Sequence, residues 1–449
     1  MKNELLELGA QVIKYSEKQG ATQIESYLES TRIVEVNIEK GRIRMASEKH
    51  DAGCGIRVII GNQLGVSYVT SILTKDSEQA VLDAISAARA SVPDPDFKSL
   101  SSVTSSYPSV KGLFDKEIER IGCDHAVELM ARAVQASQEV SGKERNLIEG
   151  RFSAKSKTRV VVNSLGVNGI SSETKADLEL SSTIGVGEDQ CSSWDEQESR
   201  SLETIDPEKI GTMSANNALE LRSAKQMEGG DMPLILTPRA LWTVIGTGLG
   251  EALDARQIQD GKSYLIDSIG SQISSPELKI VDNGILPSAL GSRPFDAEGV
   301  PSQCTSIIDS GVLQSYLHDS YSSEKVGVKN TGNATRKSYN VAPTIGVTNL
   351  VVSPGDSTLD EMVTDMNRGV LCTFTFDRPN FVTGELSAMI MEGFLIHKGE
   401  VQHALKSTLF GVSMLDLLRK TILVGSDVET RGSVISPSLM IESVKITSG

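Results

Sequence analysis

The chain reads as an α+β protein: two mixed units of helices and strands, then a larger β-rich C-terminal domain. Three observations predict this. Helical and strand periodicities come in blocks rather than in strict alternation, and residues 1–91 read helix, strands, helix. Turn-rich stretches at 92–112 and 229–231 delimit a first unit (1–91), a linker (92–112), a middle unit (113–229) and a third domain (230–449). Beyond Ser263, short strand patterns dominate between frequent Gly and Pro. A length of 449 residues accommodates two or three domains.

The elements follow in order. Leu5, Leu6, Leu8, Val12, Ile13 and Tyr15 mark one helical face that ends near Gly20. Strand patterns occupy 24–28, 33–38, 43–45, 55–60 and 65–69, an antiparallel meander, and 76–89 returns to helix, with Asp76 and Gln79 at capping-box spacing. After the Pro- and Ser-rich linker, a helix over 124–140 precedes strands at 147–153 and 159–163. Arg159–Val167 echoes Arg57–Val66, which reads equally as two related hairpins or as chance. Glu188, Asp189, Asp195, Glu196 and Glu198 surround Trp194, either as a solvated loop or edge strand or as a docking surface for a basic peptide. Helix is expected over 208–227, a short strand over 234–236, and a helix from Thr237-Pro238 to Ile258 with an apolar stripe of Leu241, Ile245, Leu249 and Leu253. An amphipathic helix at 409–423 and a strand at 439–446 close the chain.

Composition excludes several classes. Fifty-nine acidic against 44 basic residues leave a formal net charge of −15. Broad binding to nucleic acid or anionic membrane needs the opposite sign. Five cysteines without close spacing read as reduced thiols, which fits the cytoplasm. No signal peptide is visible in residues 1–20, and the longest uncharged run, 338–355, is broken by Pro343 and Pro354 and reads as no membrane span.

The most informative stretch is Gly291–Arg336. Ile307, Ile308, Val312 and Leu313 flank Asp309-Ser310-Gly311, a hairpin signal, and the two ends are dense in Pro, Gly, Asp and Asn. Phe295-Asp-Ala-Glu-Gly-Val-Pro301, Gly311-Val-Leu313 and Thr331-Gly-Asn-Ala334, in this order and spacing, resemble the hallmarks of the TldD/PmbA proteins. The resemblance is strong from about Pro233 onward and weak over nearly all the rest. It implies metallopeptidases acting on peptides and unfolded segments, in which a zinc-bearing TldD-type chain pairs with a PmbA/TldE-type chain around a cleft. The name "modulator of DNA gyrase" also attaches to the family.

In the TldD branch, the helix equivalent to 241–258 carries His-Glu-x-x-x-His, two imidazoles to hold zinc and a carboxylate to take a proton from its water. An ungapped overlay sets Gly246 and Glu251 at the histidine positions and Thr247 at the glutamate. The zinc branch also uses a cysteine near the C-terminus, and 425–437 has none. The resemblance therefore implies the PmbA branch: no metal and no catalytic residue in this chain, zinc in a TldD-type partner. Gly246, Gly248 and Gly250 each cost a helix about 1 kcal/mol, which implies either close approach of another segment or a kinked helix. Asp296 and Glu298 read as a tight acidic turn or as a cleft rim. Asn333, in the Thr-Gly-Asn-Ala block, is expected to line the same cleft. Asn380–Ser387 resembles a family block near the cleft, which puts Thr383, Gly384 and Glu385 on the cleft wall. There is no phosphate loop, dinucleotide fingerprint or nucleophile elbow. Three functions follow: a PmbA/TldE-type subunit supplying cleft wall and peptide contacts beside its zinc-bearing paralogue; a homodimeric peptide-binding scaffold outside proteolysis; and a self-sufficient hydrolase using Glu251 and Asp254.

Overall fold

A computed structural model describes residues 2–102 and 106–449, with Glu188 in its backbone alone. Residues 103–105 of the expected linker, and the Glu188 side chain of the expected acidic patch, lie outside the described residues. Helix α1 (Lys2–Lys18) buries Leu5, Leu8, Val12 and Ile13, the stripe its periodicity requires. Three antiparallel strands follow, β1 (Gln23–Glu39), β2 (Arg42–Ile60) and β3 (Gln63–Val69), and then α2 (Thr74–Ala90). A similar order recurs: α3 (Lys116–Arg120), α4 (Cys123–Ser141), β4 (Asn146–Asn163), β5 (Asn168–Ile184), β6 (Cys191–Ser199) and α5 (Pro207–Glu220).

All six strands form one sheet in the order β3-β2-β1-β4-β5-β6. The first strands of the two sets pair with each other, from Glu25↔Asn163 to Ile38↔Gly150. The 92–112 segment thus connects two halves of one sheet. The two hairpins that echo each other in sequence are the β2–β3 and β4–β5 turns, which are not equivalent positions; what repeats is the topology. The helices cover one face of the sheet, where Leu28, Ile56 and Val160 pack under α1 and α2, and Val36, Phe152 and Leu178 pack under α4. The other face is charged and still buried, because the C-terminal half lies on it. Glu25, Glu29, Arg57 and Arg159 on that face are all under 10% exposed.

The C-terminal half begins with β7 (Gly230–Leu236), α6 (Pro238–Ala252) and α7 (Ala255–Gln259). Next come β8 (Ile280–Asn283), β9 (Cys304–Asp309), β10 (Val312–Leu313) and α8 (Ser320–Val326). Strand β7 is central to an eight-stranded sheet, between Leu439–Ser448 and Arg368–Phe374, while β8–β10 belong to a separate six-stranded sheet. Both contribute to one apolar core that includes Leu234, Leu241, Ile245, Ile308, Leu350 and Phe410. The 309–312 turn has Ser310 and Gly311 at φ 49° and 81°, the left-handed pair a two-residue hairpin needs. Among the described residues, no helix is long and apolar enough to cross a membrane.

Several local expectations change. The strand patterns of the first unit fuse into long strands, because the polar first half of β2 is held by pairing to β1 although it is exposed. The same happens to 147–153 and 159–163, which are one strand, β4. Strand β5 was not expected, yet Ala176, Leu178 and Leu180 alternate with charged residues and could have given it away. Asp76 is not a cap: α2 starts at Thr74, its N-cap Leu73 offers no side-chain bond, and Asp76 lies in the first helical turn. The helix over 208–227 stops at Glu220, after which Lys225 bonds Ala404 of the C-terminal half. The helix expected at 409–423 is a strand (Thr408–Ser413), a short helix (Met414–Arg419) capped by Ser413, and another strand. There, pairing with the final strand overrides helical periodicity.

Of the acids around Trp194, Asp195, Glu196 and Glu198 lie on β6, an edge strand, but are not simply solvated. Glu196 stands opposite Glu179, and Glu198 opposite Asp177, across the β5–β6 ladder. Lys175, Arg151 and Arg431 answer only part of this charge, through Glu198, Asp177 and Asp195. Burial first, then the neighbouring carboxylates, push Asp177 and Glu196 each up to about 7. Folded values above the unfolded ones mean that their contribution to stability is complete below about 4 and is lost as pH rises to about 7. Urea denaturation across that window should therefore show Asp177→Asn/Glu196→Gln gaining on the parent chain with rising pH, by about 1–2 kcal/mol at pH 7. A constant difference between the two proteins would contradict this.

Candidate functional site

The helix that would carry a metal motif is α6. Pro238 occupies its first turn, while the Thr237 hydroxyl donates to Thr373 O at 3.1 Å rather than capping. The expected continuous helix to Ile258 breaks at Leu253, because Asp254 turns out and caps α7, accepting from Arg256 N at 2.8 Å and Gln257 N at 3.4 Å. Glu251 and Asp254 are therefore not a working carboxylate pair: Glu251 is exposed on the last turn of α6, and Asp254 is committed to backbone.

The three glycines of α6 are explained by close packing. A Cβ on Gly246 would lie 2.7 Å from Val434 Cγ2, one on Gly248 2.4 Å from Pro379, and one on Gly250 3.1 Å from Val347. Val434 belongs to the 425–437 segment, so the stretch where the zinc branch keeps a cysteine lies against the position where it keeps a histidine. A side chain with an apolar branch occupies that contact here. Gly246, Thr247 and Glu251 offer no imidazole, and among the described residues no group of three or more His, Cys, Asp or Glu is placed to hold a metal ion. These residues do not fit a zinc ion. His318 is buried and bonded to Ser322 Oγ at 3.2 Å. His397 and His403 sit on the two strands of a surface hairpin.

The Asn380–Ser387 block meets α6 directly. Pro379 covers Gly248, Gly384 (φ 78°) rests on the Tyr264 ring, and the Tyr264 hydroxyl donates to Gly248 O at 3.1 Å. Asn380 Oδ1 accepts from Val382 N and Thr383 N at 2.9 and 3.2 Å, which holds the turn shut. Thr383 and Glu385 are exposed and Gly384 is buried. The structure thus brings together Gly248 and residues 379–385. Toward the start of α6, a cavity of about 600 Å³ opens between the two halves, lined by Trp194, Phe374, Phe376, Met391 and Glu392 among others. Behind it, Arg239 is held by Glu392, by Trp194 O at 2.6 Å, and by the Trp194 and Phe374 rings, with centroids 4.8 and 4.6 Å away. The acidic run around Trp194 was the sequence signal nearest to this cavity.

Asp296 and Asn333 do not line a cleft. Asp296 is fully buried, and its carboxylate accepts from the backbone N–H of Glu298, Val300 and Ala334 at 2.8, 2.9 and 3.1 Å. Asn333 donates to Asp282 and to Gly346 O at 2.7 and 3.0 Å. Glu298 is also buried, but it lies at the boundary between the halves. Its carboxylate accepts from Arg57 Nη1 at 2.9 Å and from Ser320 N at 2.9 Å. Arg57 Nη2 donates to Glu25 at 2.8 Å, and Glu25 pairs with Arg336. Burial opposes the Glu298 charge, but Arg57 and the Ser320 hydrogen bond outweigh it and hold the carboxyl low; burial, reinforced by that charge, pushes Asp296 up to about 7. The turn is a fastener between the two halves, and Glu298 also lines a cavity of about 350 Å³.

With this geometry in place, comparison with known proteins is decisive. Residues 229–448 match the model of the PmbA/TldA metallopeptidase C-terminal domain, and residues 25–92 match that of domain 1. The chain belongs to the PmbA/TldD family. It is 25% identical to the metalloprotease PmbA of Escherichia coli O157:H7, over 94% of this chain and 91% of that one. It is equally 25% identical to a metalloprotease TldD homologue of Haemophilus influenzae, over 87% and 83%. The fold is that of TldE from Thermococcus kodakarensis, with a TM-score of 0.90 at 23% identity over 98% of this chain and 100% of that one. Within the PmbA/TldD family, PmbA and TldD proteins are thus equally similar to this chain.

Two pairs of substitutions test these contacts. Gly→Ala ordinarily gains a helix about 1 kcal/mol, but overpacking costs about 1–3 kcal/mol. Gly248→Ala should therefore destabilise while Gly250→Ala is neutral or better, both read by urea denaturation. Arg57→Met strands a buried carboxylate and should cost about 3–5 kcal/mol. Adding Glu298→Gln should recover part of that loss, and strict additivity would show that the pair is not coupled.

Proposed function

We propose that this chain is a PmbA/TldE-type subunit: it carries no zinc and no catalytic group, and it supplies cleft wall and peptide contacts to a zinc-bearing TldD-type paralogue. The observation that carries this reading is the content of α6. Gly246, Thr247 and Glu251 stand at the motif positions, and Val434 packs onto Gly246, so that face of the helix serves packing rather than ligation. An imidazole at 246 would have to displace Val434. The surrounding family framework is intact, including the 295–301 and 331–334 blocks and the turn at 380–387.

In this reading the chain's own chemistry is recognition. Thr383 and Glu385 face solvent beside α6, and the aromatic cavity near Trp194 offers apolar surface for side chains of an extended peptide. Sequence-tolerant binding of peptides or unfolded segments needs main-chain hydrogen bonds plus such surface. The five unpaired cysteines and the acidic net charge support a cytoplasmic protein that does not bind nucleic acid directly.

The test is reconstitution. The purified chain alone, dialysed and assayed by metal analysis, should retain no stoichiometric zinc and should not cleave unfolded casein. Addition of a His-Glu-x-x-x-His paralogue should restore cleavage beyond what that paralogue achieves alone. Zinc and turnover in the lone chain would overturn the reading. Failure to bind or stimulate any zinc-bearing paralogue, with self-association instead, would replace it by the homodimeric scaffold.

A further inference from the structure

Cross-strand register sets two rows of side chains on the sheet face that meets the C-terminal half. Glu149, Ser181 and Trp194 stand opposite one another across β4, β5 and β6, and Arg151, Glu179 and Glu196 form the next row on the same face. Neighbouring strands lie about 4.8 Å apart, so Trp194 and Glu149 stand about 10 Å apart across a floor made by one serine. All three residues of the first row line the cavity of about 600 Å³ between the halves. The C-terminal half supplies the other walls. Phe374 meets Trp194 and Phe376 edge-on, with ring centroids 5.2 and 4.4 Å away, and Phe376 lies within 11° of parallel to Trp194. Phe376 and Met391 border the mouth, since they are 58% and 47% exposed.

Charge and a precedent inside the molecule select the occupant. Arg151 is shared between Asp177 and Glu179, at 3.2 and 3.4 Å, and among the described residues neither Glu149 nor Glu196 is in an ion pair. A second cavity, of about 440 Å³, continues along β6 from Asp195; there Asp195, Glu196, Glu198 and Glu429 outnumber Lys209 and Arg431. Both cavities are net negative, which a basic segment offsets and an acidic one does not. No group of acids among the described residues is placed to hold a metal ion, so the cation that fits is an organic one. The precedent is Arg239, whose guanidinium lies over the Trp194 and Phe374 rings and pairs with Glu392 at the back of the cavity. Toward the mouth the same components recur, with Trp194 and Phe376 as rings and Glu149 and Glu179 as carboxylates. A planar guanidinium uses both, since it stacks on aromatic faces and binds carboxylates through paired N–H groups.

We propose that the cavity between Trp194, Phe376 and Glu149 takes an arginine side chain of a bound peptide, its stem over Ser181 and its guanidinium against the rings and the carboxylates of Glu149 and Glu179. This rests on the peptide-binding reading above and adds a side-chain preference to it. The cavity beyond Asp195 gives the flanking residues of the peptide a place along β6 and extends the preference for basic segments.

The experiment uses the full-length chain alone and fluorescence anisotropy. The probe is a fluorescein-labelled peptide of alternating alanine and serine with one central arginine. The control carries citrulline there, which keeps the shape and drops the charge, so the parent protein needs no variant to fold. The arginine peptide should bind about tenfold more tightly, and the gap should close at high salt. Glu149 is exposed and Glu179 partly so, so Glu149→Gln/Glu179→Gln should fold normally and erase the gap. Phe376→Ser should weaken binding of the arginine peptide about tenfold. Equal affinity for the two peptides overturns the proposal, as does an arginine preference that survives Glu149→Gln/Glu179→Gln. Free arginine amide binding as tightly as the peptide overturns it in favour of a small-molecule site. Casein cleavage with a zinc-bearing paralogue tests the subunit reading separately. Stimulation without an arginine preference strikes this site alone, and an arginine preference without stimulation keeps the site and strikes that reading.

Discussion

A buried run of alternating charge, Arg336–Glu25–Arg57–Glu298, is the constraint on which the rest of this molecule depends. Glu25 and Arg57 come from the N-terminal sheet, Glu298 and Arg336 from the C-terminal half. All four side chains are under 10% exposed. Ions cannot be taken out of water singly, so each half is incomplete without the other. The apolar contact beside the ions is modest: Tyr27, Val161 and Val167 against Phe295, Ala297, Ala334 and Tyr339. Position, more than area, is what the ions supply. They hold the 291–336 wall at one place on the sheet.

The same physics explains why a helix with three glycines survives in the middle of the C-terminal core. Helix α6 trades backbone propensity for approach. Val434, Pro379 and Val347 lie where side chains would otherwise be, and the Tyr264 hydroxyl bonds the helix backbone at Gly248. An imidazole ligand on this helix would need room around it. Here the room is filled. Close packing on that face of α6 is what the proposed role, a subunit that shapes a cleft, calls for.

Much of this was legible in the sequence. The α+β class, the first helix, the 309–312 hairpin, the α6 start at Pro238 and the family blocks all rest on local signals: a period, a turn pair, a proline. The absence of metal donors on α6 is likewise a statement about residue types. Elements that were misread depend on pairing. The polar half of β2 is a strand only because β1 runs beside it, 408–413 is a strand only because the last strand of the chain lies next to it, and the 92–112 segment looked like a break because nothing local shows that β1 pairs with β4.

By itself, then, the sequence determined which groups are available: charges without metal ligands, glycines where a helix should not want them, and a turn-dense wall between residues 291 and 336. Tertiary structure decided what those groups do. It turned Asp296 and Asn333 from cleft residues into buried anchors, made Glu298 half of a clasp between domains, and set Glu149, Ser181 and Trp194 in one row across three strands. Burial and partnership are properties of distant segments brought together, and hydrogen bonds and ion pairs act over a few ångströms, so no run of neighbouring residues can announce them.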